Sequence, residues 1–374
     1  MSTVGICLKV IVVGGGICGL SSAIALRRAG HEVTVYEKYP KTNDAGAGIV
    51  LRHNGVRILA EWGLDLKSVG ALAYREGVVL DGKSLKVLKR TIIEAGTSEA
   101  DATMKTTRGD LWSLLRQEVK REVEGQGRIR VVYSKAVTDY DAYKPAVRFA
   151  DGGWAEADLV VACDGIKSRA AAIVTGTNSP AKPSGYSAFR LMVPDQDLRS
   201  LVQKFQDEEL LQSKFKDEAG IVWFAIEHPG KIFVWWTCRF NKIHCFGGLC
   251  VLGDALHPMG PYRAQGGTQS IEDAGVLEIC LRGLKAKEEL AERLELLQRL
   301  RLARYATIQM ASTVRQDDPN VEQSYQKVLD YSRKWHLGLD QSHLQNPAAN
   351  AAWMVDYDAQ LEAKMAVEEF QRTR

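Results

Sequence analysis

The hydrophobic pattern first resolves into a strand, a turn, a helix and a second strand. Val10 to Val13 form a short apolar run, broken by Gly14-Gly15-Gly16-Ile17-Cys18-Gly19. Leu20 to Ala29 then carry Ala, Leu and Ile at helix-compatible spacing and stop at Gly30. Glu32-Val33-Thr34-Val35-Tyr36 alternates as a half-buried strand and ends at Glu37. Downstream, the pattern predicts a short helix from Val56 to Trp62 and a strand hairpin over residues 76–93 around Asp81-Gly82. An amphipathic helix opens at Thr107-Arg108-Gly109-Asp110 and carries Leu111, Leu114, Leu115 and Val119. Strands are expected at Ile129 to Tyr133 and Ala146 to Phe149, and over the apolar run Asp158 to Ala162. Residues 177–246 turn β-rich, with strands Ile221 to Glu227 and Ile232 to Thr237 heavy in Trp and Phe. A helix from Thr268 to Leu281 and a mixed-charge helix through Arg304 follow, and 313–374 reads as further helices.

The first turn carries candidate chemistry. Gly14 permits the tight turn, Gly16 lets backbone approach a pyrophosphate, and Gly19 lets helix pack closely on strand. The helix start offers N–H groups and a positive dipole end to phosphates. Glu37 lies about 20 residues on, where an acid accepts hydrogen bonds from a ribose hydroxyl. Strand, helix and acid agree on a bound dinucleotide, and the glutamate disfavours a 2′-phosphate at this site. Asp44-Ala45-Gly46-Ala47-Gly48-Ile49 is a second small-residue loop, where backbone at Gly48 can lie close to a ligand.

Composition narrows the class. With 374 residues there is room for two domains, and 45% apolar with 25% charged residues is ordinary for a globular protein. A net charge of +3 points to no nucleic-acid partner, and Lys83 to Arg90 reads as a solvated strand face. No apolar stretch approaches the roughly 20 residues that span a bilayer, and the apolar N-terminus is used by the first strand rather than a signal peptide. Seven cysteines, mostly in apolar contexts, suit reduced thiols in a cytoplasmic compartment. His244, Cys245 and Cys250 fit no tetrahedral spacing, so no metal is expected.

Four landmarks in order carry a resemblance. They are the glycine turn with Glu37, Arg108 with Leu111 and Leu115, Asp164-Gly165 with Ser168-Arg169, and Gly253-Asp254 with His257-Pro258. Gln265-Gly266-Gly267 and Glu272-Asp273-Ala274 extend the last. From residue 8 to about 312 the chain resembles the group A FAD-dependent aromatic hydroxylases and monooxygenases, typified by para-hydroxybenzoate and salicylate hydroxylases, and especially their fungal secondary-metabolism branch. The resemblance implies an α/β fold: a Rossmann-like FAD-binding domain of the GR2 type, an inserted β-rich substrate domain, and C-terminal helices. The FAD-binding domain would comprise 1–72, 103–176 and 247–312, the substrate domain 73–102 and 177–246, and the helical region 313–374.

The resemblance also implies roles. Asp254 would hold the ribityl chain, Arg108 would reach the FAD phosphates, and Gln265, Gly266 and Gly267 would open a helix facing the flavin pyrimidine edge. A positive helix end there stabilises an anionic reduced ring. Asp164 and Arg169 would support FAD with a transient NADPH or NADH nearby; a buried structural ion pair is the other reading of these two. Arg190 would orient the substrate, against the alternative of an ion pair on a strand. The implied reaction transfers an oxygen atom from O2, hydroxylating or epoxidising an aromatic, indolic or enol-like small molecule. Another flavoprotein dehydrogenase or oxidase, or a truncated non-catalytic FAD-binding protein, stands as the alternative. Two departures from the family pattern stand out. Trp236 occupies a position where relatives often carry tyrosine. Phe240 to Gly248 spans a gap that in the family holds several tens of residues, so the substrate half looks shortened.

Overall fold

The computed structural model describes residues 5–41, 47–93, 102–141, 143–175, 190–202, 221–227, 231–238, 243–248, 265–314, 321–334 and 353–372. By compactness the chain divides into two units. One holds Met1–Asn43, Leu115–Lys182 and Leu252–Arg374; the other holds Asp44–Leu114 and Pro183–Val251.

The first unit is built on a parallel sheet of β1 (Lys9–Val13), β2 (Glu32–Tyr36), β8 (Ile129–Val132) and β12 (Leu159–Ala162), in the order β12-β1-β2-β8. β1 is central and its Val10 to Val13 are all buried, as a near-continuous apolar run in a covered parallel sheet requires. The helix α1 (Ile17–Arg28) follows β1 and is buried on almost every side, because it lies between this sheet and a later helix, α6 (Gly266–Leu281). A second, antiparallel sheet of β9 (Val137–Tyr140), β10 (Ala146–Phe149) and β11 (Trp154–Glu156) sets Val147 and Phe149 against Ile11 and Val13.

The same unit ends in helices. α6 begins two residues before the expected Thr268, so Gly266 and Gly267 form its first turn. It packs on α7 (Glu289–Thr313) and on α9 (Ala359–Arg372), with Val276, Ile279, Cys280, Leu296, Ala363 and Val367 in one core. α8 (Val321–Lys334) and residues 353–355 close a second core with α7, through Ile308, Leu329 and Met354.

The second unit is mainly β. A small antiparallel sheet orders β3 (Gly48–Leu51), β7 (Met104–Thr107) and β4 (Leu72–Ala73) as β3-β7-β4. The larger sheet runs β13 (Arg190–Pro194), β16 (Ile243–Gly248), β15 (Lys231–Cys238), β14 (Ile221–Glu227), β5 (Glu76–Asp81), β6 (Val87–Ile92). Its neighbours are antiparallel except β14 and β5. The hairpin β5–β6 matches the expected turn, and all six residues of the edge strand β6 are exposed, as the basic run suggested. The stretch 240–248 is more than a connector: β16 lies within it, in register with both β13 and β15. Helices α2 (His53–Glu61) and α5 (Asp195–Val202) complete this unit, α5 being one the β-rich pattern concealed. The helix α3 (Arg108–Val119) contains the boundary between the units, and a short helix α4 (Ala170–Thr175) follows β12.

Candidate functional site

The glycine turn is built as its spacing requires. Gly14 sits at φ +101°, in the left-handed region, and a Cβ there would lie 2.4 Å from the Cys163 carbonyl oxygen. A Cβ on Gly19 would lie 1.8 Å from the Gly14 carbonyl oxygen, so only glycine lets α1 start this close to β1. Gly16 is the helix N-cap and no side chain caps it, which leaves the first turn of α1 to serve an anion.

Glu37 lies at this turn, at the end of β2. One carboxylate oxygen accepts the Gly15 N–H at 2.5 Å and the other accepts the Tyr39 N–H at 2.8 Å. A carboxylate has about four lone-pair sites. The two main-chain bonds therefore orient it and leave acceptor capacity for ribose hydroxyls. The third wall of the turn is the end of β12. Cys163 N–H donates to Val13 O at 2.8 Å, and Cys163 Sγ is 3.3 Å from Cys18 Sγ on α1. Asp164 follows, its Oδ1 buried and without a hydrogen-bond partner among the described residues. Beside it, burial pushes the Tyr140 phenol well above its usual range, and the Asp164 charge adds to the shift. The backbone cradle that a Cβ would fill, at a helix start that no side chain caps, matches the needs of an ADP group.

Asp164 and Arg169 do not form the buried pair weighed from the sequence. Arg169 is 68% exposed and donates to Thr138 O at 3.2 Å, with Asp139 at 3.9 Å. Gly48 opens β3 opposite Thr107, and Arg108 is the exposed first residue of α3. Thr107 caps that helix: its hydroxyl accepts the Asp110 N–H at 3.0 Å and donates to the Asp110 carboxylate at 2.6 Å. Arg190 lies in β13 with its backbone paired to Gly247, and Trp236 lies in β15 paired to Val222 and Cys245. Asp254 lies outside the described residues. So do His257 and Pro258.

Gln265 is the N-cap of α6, and Gly266 and Gly267 follow it. The sequence does not announce what lies behind them. Gln269 Nε2 donates to Gln265 Oε1 at 2.9 Å, and Arg301 Nη2 on α7 donates to Gln269 Oε1 at 2.7 Å. Arg301 also donates to Glu272 and Asp273, each at 2.7 Å. Burial opposes its charge, but the two carboxylates outweigh that and hold it firmly protonated. Arg304 donates to Glu272 and to Met354 O at 2.7 Å, and its guanidinium stacks 3.8 Å from the Tyr357 ring centre. Two cations face two anions, so the cluster is balanced. The mixed-charge helix expected through Arg304 turns part of its charge inward: Arg293, Arg301 and Arg304 are buried. Spacing gave one usable signal, since Arg301 and Arg304 share a face at i, i+3. Lys105 on β7 was also missed; it is fully buried and donates to Ile221 O at 3.1 Å.

A βαβ turn of this geometry, with an acid just after β2 and an aspartate after β12, defines a dinucleotide-binding fold. Residues 7–244 match the family described as the FAD binding domain, and the chain belongs to that family. Among curated proteins it is similar to the FAD-dependent monooxygenase cfoG of Aspergillus candidus, 27% identical over 83% of this chain and 86% of that one. It is likewise similar to the asperlicin C monooxygenase of Petromyces alliaceus, 27% identical over 90% of this chain and 87% of that one. Among solved structures, CtdE with FAD and substrate 4 shares the fold at a TM-score of 0.75, with 21% identity and 98% of each chain covered. A salicylate hydroxylase substrate complex does so at 0.68, with 18% identity over 96% of this chain and 98% of that one. The protein is an FAD-dependent oxidoreductase of the monooxygenase class. No helix among the described residues is long and apolar enough to cross a membrane.

Proposed function

We propose that this flavoprotein uses NADPH or NADH and O2 to hydroxylate or epoxidise an aromatic, indolic or enol-like small molecule of fungal secondary metabolism. The observation that carries the reading is the glycine turn closed by Glu37 and Asp164, on a chain whose curated relatives are named monooxygenases. Gly14, Gly16, Gly19 and Glu37 hold the ADP half of FAD. Gly48 serves the ring-side loop, Arg108 the phosphates, Asp164 supports the fold around FAD, and Asp254 takes the ribityl hydroxyls. Gln265, Gly266 and Gly267 present donors to the pyrimidine edge, where negative charge develops on reduction. Bound FAD supplies the redox chemistry with nicotinamide and oxygen; the chain supplies position, electrostatics and exclusion of water. Arg190 holds a phenolate, carboxylate or carbonyl oxygen of the substrate, which a planar guanidinium does in two-point fashion. Residues 1–72, 103–176 and 247–312 form the cofactor part, 73–102 and 177–246 the substrate part, and 313–374 supports the first.

The test is oxygen incorporation. Purified holoprotein is turned over with NADPH under isotopically labelled O2 across a panel of phenolic and indolic compounds. Label in a product bears the reading out. Oxidation of NADPH with peroxide release and no label would replace it with an oxidase. Asp254→Ala lowers flavin occupancy by tenfold or more, by removing a partner worth about 1.5–3 kcal/mol in a closed site. Arg190→Ala leaves flavin content at the wild-type level and uncouples NADPH oxidation from product; equal loss of flavin would make Arg190 structural.

A further inference from the structure

We propose that Cys18 and Cys163 form an oxidative modification site: hydrogen peroxide joins them in a reversible disulfide that ties the first turn of α1 to the end of β12. The bond is argued from this chain alone. Its effect on the cofactor rests on the reading that the glycine turn holds the ADP half of FAD.

The two thiols are 145 residues apart in sequence, and the fold brings Cys18 Sγ, as donor, to 3.3 Å from Cys163 Sγ. A disulfide bond is about 2.05 Å long. The sulfurs therefore close by roughly 1.2 Å, which small rotations of two short side chains supply. Ser22, four residues after Cys18 and on the same face of α1, places its hydroxyl 3.8 Å from Cys163 Sγ. Cys163 thus sits over one stripe of the helix, with Cys18 at its start. Both backbones are held in this arrangement. Cys163 N–H donates to Val13 O at 2.8 Å, directly after the four-residue register of β12 on β1. At the start of α1, Leu20 N–H donates to Gly16 O at 2.9 Å, and Gly19 packs on the Gly14 carbonyl. Both cysteines are half-buried, which leaves a path for a small oxidant. Cys280 is different: it is buried, and burial pushes its thiol up to about 12, which keeps it in the unreactive acid form.

The reaction takes one peroxide. Peroxide oxidises one thiol to a sulfenic acid and leaves as water. The second sulfur then attacks the first, the S–S bond forms, and the hydroxyl departs with the thiol proton as a second water. Two thiols lose two electrons in all, and a thiol reductant reverses the change.

Cys163 cannot move without the turn. Its carbonyl oxygen fills the space that a Gly14 side chain would need, and its amide closes on Val13, the residue before Gly14. Drawing Cys163 onto α1 shifts that carbonyl against Gly14. It disturbs the spacing between β1 and the helix start, which a pyrophosphate needs. The disulfide form therefore holds FAD less firmly, and by linkage bound FAD disfavours the bond to the same extent. The pair couples oxidising conditions to cofactor content.

The test treats purified holoprotein with hydrogen peroxide. Free thiols are then blocked, the protein is digested, and linked peptides are mapped by mass spectrometry. A Cys18–Cys163 cross-link that dithiothreitol removes is expected. Oxidation that consumes the exposed Cys7 and leaves these two as free thiols overturns the proposal. So does oxidation of either to sulfinic acid with no cross-link. FAD release is followed by the rise of free-flavin fluorescence, and oxidised protein is expected to release it about fivefold faster than the same protein after re-reduction. Cys18→Ser and Cys163→Ser, each compared with itself before and after peroxide, are expected to show no change in release. Unchanged release from cross-linked wild type, or equal quickening in both serine variants, overturns the coupling. Should a serine variant lose its flavin during purification, Cys18→Ala takes its place in the same comparison. A wild-type protein that binds no flavin would defeat the functional reading, while the peptide map still decides the disulfide.

Discussion

His31 shows how much a single side chain can join. Its Nδ1 accepts the Leu8 N–H at 3.3 Å, so Nε2 carries the proton and donates to Leu281 O at 3.0 Å. The ring ties the strand entering β1 to the end of α6, and it must be neutral to do so. Burial lowers its pKa below the ordinary 6.5, with the Leu281 bond opposing only in part. The unfolded chain therefore binds a proton more readily than the folded one, and stability is lost as pH falls below about 6.5 through the lower folded value. Thermal melting of His31→Gln is expected to show a flatter acid limb than wild type between pH 6.5 and 5. Parallel limbs would remove His31 from that account. The glycine turn belongs to the same scale. Gly19→Ala puts a methyl 1.8 Å from the Gly14 carbonyl oxygen, where only backbone can yield. Flavin content should fall below a tenth of wild type, read from the absorbance ratio of the purified protein; full occupancy would mean that the turn is looser than its geometry indicates. These glycines were legible because their roles are local, set by neighbours within a few residues. His31 was not, because its partners lie 23 and 250 residues away.

At the scale of elements, periodicity found the strands and helices with a sustained apolar pattern and missed short ones that lack it. β1, β2, α2, α3, β14 and β15 came close to their bounds, as hydrophobic period and turn residues agreed. β3 was read as a small-residue loop and β16 as part of a shortened gap, because glycine-rich strands four to six residues long carry little pattern of their own and are made by their neighbours. α7 was legible as a helix and not as a buried one. Its arginines look solvated until Glu272 and Asp273, some 30 positions earlier, are brought against them. The same holds for α1, whose Arg27 is 2% exposed and donates to the Glu118 carboxylate and, at 2.9 Å, to Glu118 O on α3. Removing one partner of a buried pair costs about 3–5 kcal/mol, since the other charge stays in place. Arg27→Met should lower the urea midpoint by that measure, and Arg28→Met, whose residue is more exposed, by much less. Equal effects would show that the tie of α1 to α3 is not made by this charge.

On the scale of the whole molecule, order along the chain and order in space diverge most at the C-terminal end. The helical region 313–374 resembled nothing with a stated purpose, yet it is woven into the unit that begins with the glycine turn. Ala359, Ala363 and Val367 of α9 share a core with Val276, Ile279 and Cys280 of α6, and α6 packs on α1 directly after that turn. Met354 and Val355 belong to the core of α7 and α8, and Met354 O with Tyr357 anchors Arg304. A chain ending at residue 352 would lose Met354, Val355, Ala359, Ala363 and Val367 from these two cores and uncover the side chains packed on them. On an area basis the loss is on the order of 5 kcal/mol. It would also leave a guanidinium buried with part of its cage gone, which adds to the cost. That sum is comparable with the roughly 5–15 kcal/mol by which a domain is stable at all. The expected outcome is a truncated protein that melts far below the full chain and retains little flavin, although every residue of the glycine turn is present. Full flavin content and an unchanged melting temperature in the truncated chain would mean that α9 merely covers the molecule. Loss of both would place the last segment of the sequence among the supports of the first.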